Sequence, residues 1–540
     1  MVQVTLVVSV IAVLGPNGTA TGPSSQADPS VRAAQNGRQA NEALSRSHRF
    51  VRGWLKHANP KTGLFPRNLT KDVIIWNAKD CAADNYPFMV LTCALTDEEL
   101  FRGRMLEMLR TETKLCSRVD RLPDTWNFVK QGFDTDQSDL EAIIFGSAEY
   151  CKDGLMPLTE WLGPSPWSQR MIDILQDIWK HAPVETRFGK IPSTSQEVNG
   201  ELMQVLCRVF WMTGDRKYLY WAERLGDYHL FDHHPTRDED SITLRDHGSE
   251  IIGGLSELYL TAHYADRRKK NAYREPMHAM LNRVLQVGRD EHSLFYNRVN
   301  PKTGQPIPLK GLAPACDTWG YVYDAFYTVY LVDNTGRYRE AVRQALGNLD
   351  RYYRDYDWEH GSSDGLADSV EGGINLYNRE PIESVPAWIE HEIGRMFAIQ
   401  KEDGIIEGWH GDGNFARTAI MYALWKSQGA TARPWREDLC LGAWRTGDTL
   451  YLSLRADKPW TGRIGFDRPR HMEFLHLPLD YPRINQFPEW FTTQGEAPYE
   501  VKLGDRIETH TGRQLWEGLP VDLSELALEL HITVRAKTGP

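Results

Sequence analysis

Residues 316–354 read CDTWGYVYDAFYTVYLVDNTGRYREAVRQALGNLDRYYR, and this stretch predicts two antiparallel helices. The first, at about 319–332, is apolar on nearly all sides, which is typical of a helix that is buried all round. A short polar turn with a glycine follows at 333–336. Residues 338–353 then carry apolar side chains at helical spacing with charged ones between them, as in an amphipathic helix. The stretch is therefore a hairpin of one buried and one solvated helix.

The same unit recurs at 86–109, 202–229 and 250–287. Each copy consists of a polar cluster, an apolar helix, a short turn and an amphipathic helix. The copies are spaced by roughly 50 to 70 residues, and repetition of this kind marks stacked structural units. If the buried helices form an inner ring and the solvated helices an outer ring, all the polar clusters lie at one end of the ring.

This organisation resembles the (α/α) toroid of carbohydrate-active enzymes, in which the loops before the inner helices line the substrate cleft. The resemblance covers roughly residues 35–430 and is similar in type to β-glucuronidases and unsaturated glucuronyl hydrolases. It implies a mainly α protein with an (α/α)6-like toroid of six or seven hairpins. It rests on the architecture and on the positions of the clusters, so it assigns no role to a particular residue.

We predict three segments along the chain. Residues 1–27 are a signal or leader, because an apolar stretch too short to span a bilayer precedes a Gly/Pro/Ser/Thr-rich region. This predicts a secreted or periplasmic protein without a membrane span. Residues 28–435 form the toroid. Residues 436–540 form a β-sandwich, because alternating apolar residues surround the turn at 446–448 and further short strands follow among prolines and glycines.

The bulk composition excludes several classes of function. The chain has 540 residues, 41% of them hydrophobic, and a formal net charge of −11. No run of basic residues occurs beyond 267–270, so we expect no nucleic-acid partner. The seven cysteines form no C-x-x-C pair and no phosphate-binding loop is present, so we expect no structural zinc site and no cofactor, and we assign no metal ligand. A Cys81–Cys93 disulfide, a bound structural metal and the oligomeric state are left open.

Two polar clusters suggest the catalytic residues. His247 and Glu250 lie three residues apart, and so do Asp368 and Glu371, so each pair shares one face of a helix. Glycines beside both pairs would allow a ligand to approach the backbone. We predict that Glu250 and Glu371 form the acid/base pair, with His247 and His410 in supporting roles.

The remaining clusters supply the expected substrate-binding residues. Aromatic side chains stack on sugar rings, carboxylates bind hydroxyl groups, and a guanidinium matches a carboxylate bidentately. The arginines therefore suggest an acidic sugar. The predicted binding residues are Asp80, Arg245, Asp246, Asp317, Trp319, Tyr321, Asp368, Asn375, Arg379, Trp409, Asp412 and Arg417.

Our first hypothesis is a glycoside hydrolase that cleaves an oligo- or polysaccharide containing uronic acid, since two carboxyl groups flanking a glycosidic bond are the usual hydrolytic pair. The second is a polysaccharide lyase that removes a proton beside a uronate carboxylate through histidine or tyrosine. The third is a sugar epimerase or a glycan-binding protein without turnover. The sequence does not decide among these three.

Overall fold

The computed structural model describes residues 28–537. The predicted leader, residues 1–27, therefore lies outside the described residues. Fourteen helices precede the strand-rich region in the described part of the chain. They are α1 (Pro29–Leu55), α2 (Ala78–Asn85 and Tyr86–Thr96), α3 (Glu98–Leu100, Phe101–Met105 and Leu106–Cys116), α4 (Leu140–Glu149, Tyr150–Leu155 and Met156–Leu162), α5 (Pro166–Lys180), α6 (Gln196–Thr213), α7 (Arg216–Asp227 and Tyr228–Asp232), α8 (Glu250–Ala265), α9 (Arg267–Val287), α10 (Trp319–Asp333), α11 (Gly336–Tyr352), α12 (Ser363–Arg379), α13 (Val385–Ile399) and α14 (Asn414–Ser427).

The helices form two concentric rings. The inner helices α2, α4, α6, α8, α10, α12 and α14 each contact the next, and α14 contacts α2 and closes the ring. The outer helices α3, α5, α7, α9, α11 and α13 each pack against the inner helix that precedes them, and α1 covers α14. The described residues thus form seven helical hairpins, within the predicted six or seven, and the predicted toroid is confirmed.

Glycines set the spacing between two inner helices. A Cβ atom built on Gly320 of α10 would lie 2.3 Å from the Cα atom of Gly372 in α12, so the two backbones touch at this point. Gly372 and Gly373 lower the intrinsic helix propensity of their segment by roughly 1 kcal/mol each. The segment is nevertheless one continuous helix. The close contact between α10 and α12 explains why glycine occupies position 372.

Eight strands follow the toroid. They are β1 (Thr431–Arg433), β2 (Cys440–Thr446), β3 (Thr449–Arg455), β4 (Trp460–Gly465), β5 (Pro498–Leu503), β6 (Arg506–Thr511), β7 (Leu519–Leu523) and β8 (Glu529–Ala536). Antiparallel pairing gives one sheet of order β6-β5-β8-β3-β2 and a second of order β7-β4-β1. Side chains of both sheets, including Leu452, Ile464 and Val534, share one apolar cluster. This is the β-sandwich that the sequence predicts.

Several contacts join the sandwich to the toroid, and two of them bear on the site. Helix α1 lies against β2, where Gly37 meets Gly442. A second contact is made by the segment 475–487, which enters the ring from the C-terminal ends of the inner helices. There the Arg483 guanidinium donates to Glu160 of α4, and the Tyr481 hydroxyl donates to Glu257 of α8. In the described part of the chain, the segment 475–487 therefore occupies the ring axis at the C-terminal ends of the inner helices. The axis is open at the end where the inner helices begin.

The remaining short elements lie in connecting loops. Short helices span Asp246–Ser249, Trp358–Gly361, Arg470–Glu473 and Gly512–Glu517, and two- or three-residue strands span Ile75–Trp76, Ser117–Val119, Leu122–Pro123, Trp126–Asn127, Gly132–Phe133, Ile242–Thr243 and Arg298–Val299. All seven cysteines are free, so Cys81 and Cys93 are not bonded. No helix among residues 28–537 is both long and apolar enough to cross a membrane.

Candidate functional site

A cavity of about 400 Å³ opens at the N-terminal end of the inner ring, hereafter the mouth. All seven inner helices, or the loops that precede them, contribute to its wall. Ten of the nineteen lining residues are Asp or Glu, against two lysines, one arginine and two histidines. The lining residues are Lys79, Asp80, Asp84, Phe145, Glu149, Lys152, Asp153, Glu197, Asp246, His247, Glu250, Tyr321, Glu359, Asp364, Asp368, Trp409, His410, Asn414 and Arg417.

Two π-helical segments bring α2 and α4 together at the mouth. Ala78–Asn85 opens α2, and Tyr150–Leu155 interrupts α4. Such segments are rare and often occur at functional sites. A Cβ atom on Gly154 would lie 2.7 Å from the carbonyl oxygen of Ala82, so the two segments are in direct contact. As a result, Asp84 of α2 and Asp153 of α4 face the same part of the cavity.

Asp84 lies in an environment that favours its protonated form. Burial raises the pKa of this carboxyl group to about 8, and the nearby His410 opposes the shift only in part. The His410 Nε2 atom lies 3.5 Å from Asp84 Oδ2 and 3.7 Å from Asp80 Oδ1. Burial disfavours a charge on His410, yet Asp84 and Asp80 raise its pKa above the usual value. Arg67 pairs with Asp80 at 2.5 Å.

Asp153 lies in the opposite kind of environment. The Lys152 ammonium group donates to Asp153 Oδ1 at 2.6 Å, and the Asn485 side-chain amide donates to the same oxygen at 2.7 Å. Both contacts place a donor on the same carboxylate oxygen, and the hydrogen bond from the ammonium group is charge-assisted. Lys152 also contacts Glu250, which accepts a further hydrogen bond from Gln204. Glu250 therefore lies in the cavity wall with both carboxylate oxygens engaged.

Glu371 lies beneath the cavity and not in its wall. It is fully buried, and its carboxylate accepts hydrogen bonds from the Tyr321 hydroxyl at 2.7 Å and from the backbone N–H of Asn485 at 2.6 Å. The Arg417 guanidinium is 3.0 Å away and also donates to Asp368 at 2.6 Å. Through these contacts Glu371 holds Tyr321, Asn485 and Arg417 in place at the bottom of the cavity, hereafter the floor.

Nine of the sixteen predicted site residues line the cavity: Asp80, Asp246, His247, Glu250, Tyr321, Asp368, Trp409, His410 and Arg417. The other seven do not, and each has a structural contact instead. Asn375 donates to Glu371 from one turn below, Trp319 donates to Ser369, and Asp412 accepts from the backbone of Asn414.

The predicted substrate arginines are engaged with carboxylates of the chain itself. Arg245 pairs with Glu359 at 2.6 Å and lies 3.9 Å from the buried Asp317, outside the cavity. Arg379 pairs with Asp480 at 2.5 Å, on the segment that enters the ring from below. Neither guanidinium is available to a ligand at the mouth.

Several cavity residues were not among the predicted ones. Asp84 follows Asp80 by four residues and thus lies on the same helix face, which is a signal that the sequence contains. Glu149, Lys152 and Asp153 place charged groups in the middle of a mostly apolar helix, and buried charges of this kind often occur at functional positions. Asn485 had no such signal, because it belongs to the segment between the strands of the sandwich and only the fold brings it to the floor.

One wall of the cavity carries residues of the kind that bind metal ions. Ligand atoms of Glu149, Glu197, Glu201 and His247 all lie within 4.8 Å of one another. Burial raises the pKa of Glu201 to about 8 and that of Glu149 well above its usual value. A second group of the same kind lies outside the cavity and consists of His471, Asp480 and Glu489.

Comparison with known proteins gives a likeness at the level of the fold. No protein-family model and no curated protein matches the sequence. Similar solved structures include a family 88 glycosyl hydrolase from Bacteroides vulgatus (15% identity, 53% of this chain and 90% of that one, TM-score 0.36). They also include the GH76A alpha-1,6-mannanase from Salegentibacter sp. HEL1_6 (12%, 54% and 90%, TM-score 0.38) and the cellobiose 2-epimerase from Bacillus thermoamylovorans B4167 (12%, 53% and 86%, TM-score 0.35). At these low scores the likeness carries no information on substrate or mechanism.

Proposed function

We propose that the protein is a glycoside hydrolase in which Asp84 is the general acid and Asp153 is the general base or nucleophile. The observation that carries this proposal is the contrast between the two carboxyl groups. They belong to adjacent inner helices and face one cavity, but burial favours a proton on Asp84 whereas Lys152 and Asn485 favour a charge on Asp153. Hydrolysis of a glycosidic bond requires two carboxyl groups of this kind.

This pair replaces the predicted pair of Glu250 and Glu371. Glu371 has no access to the cavity, and Glu250 is 1% exposed with donors on both oxygens. A carboxyl group that protonates a leaving group must reach it within hydrogen-bond distance. Asp84, Asp153 and Glu250 all border the cavity. Among the described residues, however, Oδ2 of Asp153 has no hydrogen-bond partner, whereas both oxygens of Glu250 are engaged, so Asp84 and Asp153 meet this condition better.

The charge of the cavity favours a neutral sugar over the uronic acid expected from the sequence. Ten carboxyl groups face the space, and Arg417 is already bound to Asp368 and Glu371. A substrate carboxylate would meet repulsion there, whereas neutral hydroxyl groups can donate hydrogen bonds to the carboxylates. Trp409 at the rim is 71% exposed and offers an aromatic surface on which a sugar ring can stack.

The cavity fits the alternative reactions less well. A lyase or an epimerase requires a side chain in its unprotonated form that can remove a proton from carbon. The Tyr321 hydroxyl donates to Glu371 at 2.7 Å and lies 3.0 Å from Asp368. Burial opposes a charge on His410, but the ionised Asp80, which pairs with Arg67, raises the pKa of His410. Neither side chain is a free base, so hydrolysis is the reaction that the contacts support.

A substrate screen with two readouts tests the proposal. The full-length protein is incubated with neutral and uronic-acid oligosaccharides, and products are followed by mass and by ultraviolet absorbance. We expect neutral oligosaccharides to give two products whose masses sum to that of the substrate plus one water, and a loss of about 10²- to 10⁴-fold in rate for Asp84→Asn and Asp153→Asn. Unsaturated products absorbing in the ultraviolet, epimerised products, or binding without turnover would refute the hydrolase assignment.

A further inference from the structure

We propose that Glu149, Glu197, Glu201 and His247 bind a divalent transition-metal ion, Mn²⁺ or Zn²⁺, in the wall of the cavity. The four residues come from three adjacent inner helices or the turn before one. Glu149 lies on α4, Glu197 and Glu201 lie one turn apart at the start of α6, and His247 immediately precedes α8. These four residues are distant along the chain, and the sequence pattern alone assigns no metal ligand among them.

The spacing of the ligand atoms matches a common ion. His247 Nε2 lies 3.6 Å from Glu149 Oε1, and His247 Nδ1 lies 3.6 Å from Glu201 Oε1, so a single ion would take one of these two nitrogens and the ring would turn slightly toward it. These distances exceed a hydrogen bond. Metal–ligand bonds of roughly 2.0–2.2 Å separate neighbouring ligands by about 3–3.5 Å and opposite ligands by about 4–4.4 Å. The observed separations, all within 4.8 Å, need only small side-chain movements to meet this geometry.

Unpartnered buried atoms point independently to a ligand. Glu201 is fully buried and Glu149 is 5% exposed, yet both oxygens of Glu201 and Oε2 of Glu149 lack a hydrogen-bond partner. Buried carboxylates without partners are strongly unfavourable. Within residues 28–537, no lysine or arginine forms an ion pair with either of them, and the imidazole of His247 is the one cationic group within 4 Å of their oxygens. A divalent cation supplies both the charge and the missing contacts.

The second acidic group in the chain shows what a balanced cluster looks like. There Asp480 pairs with Arg379 at 2.5 Å and with Arg483 at 3.0 Å, and Glu489 pairs with His471 at 2.9 Å. Its carboxylates have cationic partners from the protein and do not require a metal. The group at the cavity differs because it lacks those partners, although its ligand types and spacing are similar.

The mixture of ligands identifies the class of ion. Imidazole suits Zn²⁺ and other transition metals, whereas Ca²⁺ and Mg²⁺ prefer oxygen ligands alone. Because Glu149, Glu197 and His247 line the cavity, an ion held there would face it and could bind sugar hydroxyl groups. That role in substrate binding rests on the proposed function, but the metal site itself does not.

Metal binding by the full-length protein tests the proposal without any substrate. After treatment with EDTA and dialysis, the protein is titrated with MnCl₂ and with ZnCl₂ in a calorimeter, and its melting temperature is measured with and without metal. We expect one equivalent per chain and a rise in melting temperature, because an ion that binds only the folded state stabilises it. X-ray absorption of the Zn²⁺ form should show nitrogen and oxygen ligands at about 2.0–2.2 Å.

Two variants and a control make the test specific. Glu201→Gln and His247→Asn should each weaken binding about tenfold or more, since even residues that only support a ligand have effects of this size. Glu489→Gln, in the balanced group, should bind metal like the wild type. Absence of uptake by the wild type, or wild-type affinity in both folded site variants, would overturn the proposal. If neither variant folds, an absorption spectrum without an imidazole ligand would overturn it.

Discussion

Replacing Glu371 by glutamine should destabilise the protein far more than it affects the chemistry. The carboxylate accepts from Tyr321 and Asn485 and pairs with Arg417, and all of these groups are buried. Glutamine has nearly the same shape, but it carries no charge and places an amide donor among three donors. A structural role and a catalytic role for Glu371 thus predict different outcomes for one conservative change.

The size of the effect follows from the contacts. Breaking a buried ion pair typically costs about 3–5 kcal/mol, and a hydrogen bond to a charged group about 1.5–3 kcal/mol. Arg417 keeps Asp368 as a partner at 2.6 Å, so we take the lower end, about 3 kcal/mol. For a chain of 540 residues, with an unfolding entropy of roughly 2.1 cal/mol/K per residue, that corresponds to a fall in melting temperature of about 3 °C.

Thermal melting of Glu371→Gln and the wild type measures this directly, with Glu98→Gln as the control. Glu98 forms an ion pair with Arg102 on the surface, with both side chains about three-quarters exposed, so its loss should leave the melting temperature unchanged. Below its melting transition, Glu371→Gln should turn over substrate within about tenfold of the wild type, because a general acid or base usually contributes more than that. A variant that melts like the wild type but loses nearly all turnover would show that Glu371 is catalytic and that the floor assignment is wrong.

Two further predictions concern stability. Gly372→Ala places a methyl group 2.7 Å from the Cα atom of Gly320, so it should destabilise the protein by about 1–3 kcal/mol in urea denaturation, whereas Gly347→Ala, with open space around it, should be neutral or stabilising. Burial, reinforced by Glu359, raises the pKa of Asp317 to about 8, so the folded state retains a proton that the unfolded state loses near pH 4. Stability should therefore fall as pH rises from about 4 to 8, and Asp317→Asn should reduce the fall in melting temperature between pH 5 and pH 9; an unchanged fall would contradict this.

The architecture could be predicted from the sequence because it depends on local patterns. The buried face of α11 (Tyr338, Ala341, Val342, Ala345, Leu346 and Leu349) is the one that helical spacing predicts. Hairpins were recognised where an apolar helix and an amphipathic helix followed each other. The hairpin of α4 and α5 was not recognised as a repeat, and the pairing of α14 with α1 joins segments almost 400 residues apart in sequence, so no local pattern can reveal it.

The site could be predicted only in part, for physical reasons. The architecture predicts that the N-terminal end of each inner helix faces the mouth. Nine predicted residues at those ends do line the cavity. Which carboxyl groups are engaged depends on partners that are distant in sequence. Glu371 is covered by Asn485 from the sandwich region, and Asp153 obtains its second donor from the same residue. The sequence around Glu371 therefore does not indicate these contacts.

The pH dependence of turnover tests the central claim, that Asp84 acts as a buried acid opposite Asp153, which accepts hydrogen bonds from Lys152 and Asn485. Burial raises the pKa of Asp84 to about 8, so the group holds its proton at neutral pH and loses it in mildly alkaline solution. With a substrate from the screen, kcat/KM should fall on the alkaline side with an apparent pKa near 8, and the residual activity of Asp84→Asn should lack this fall. A wild-type profile that stays level beyond pH 9, or an Asp84→Asn variant with the wild-type profile and rate, would contradict the account.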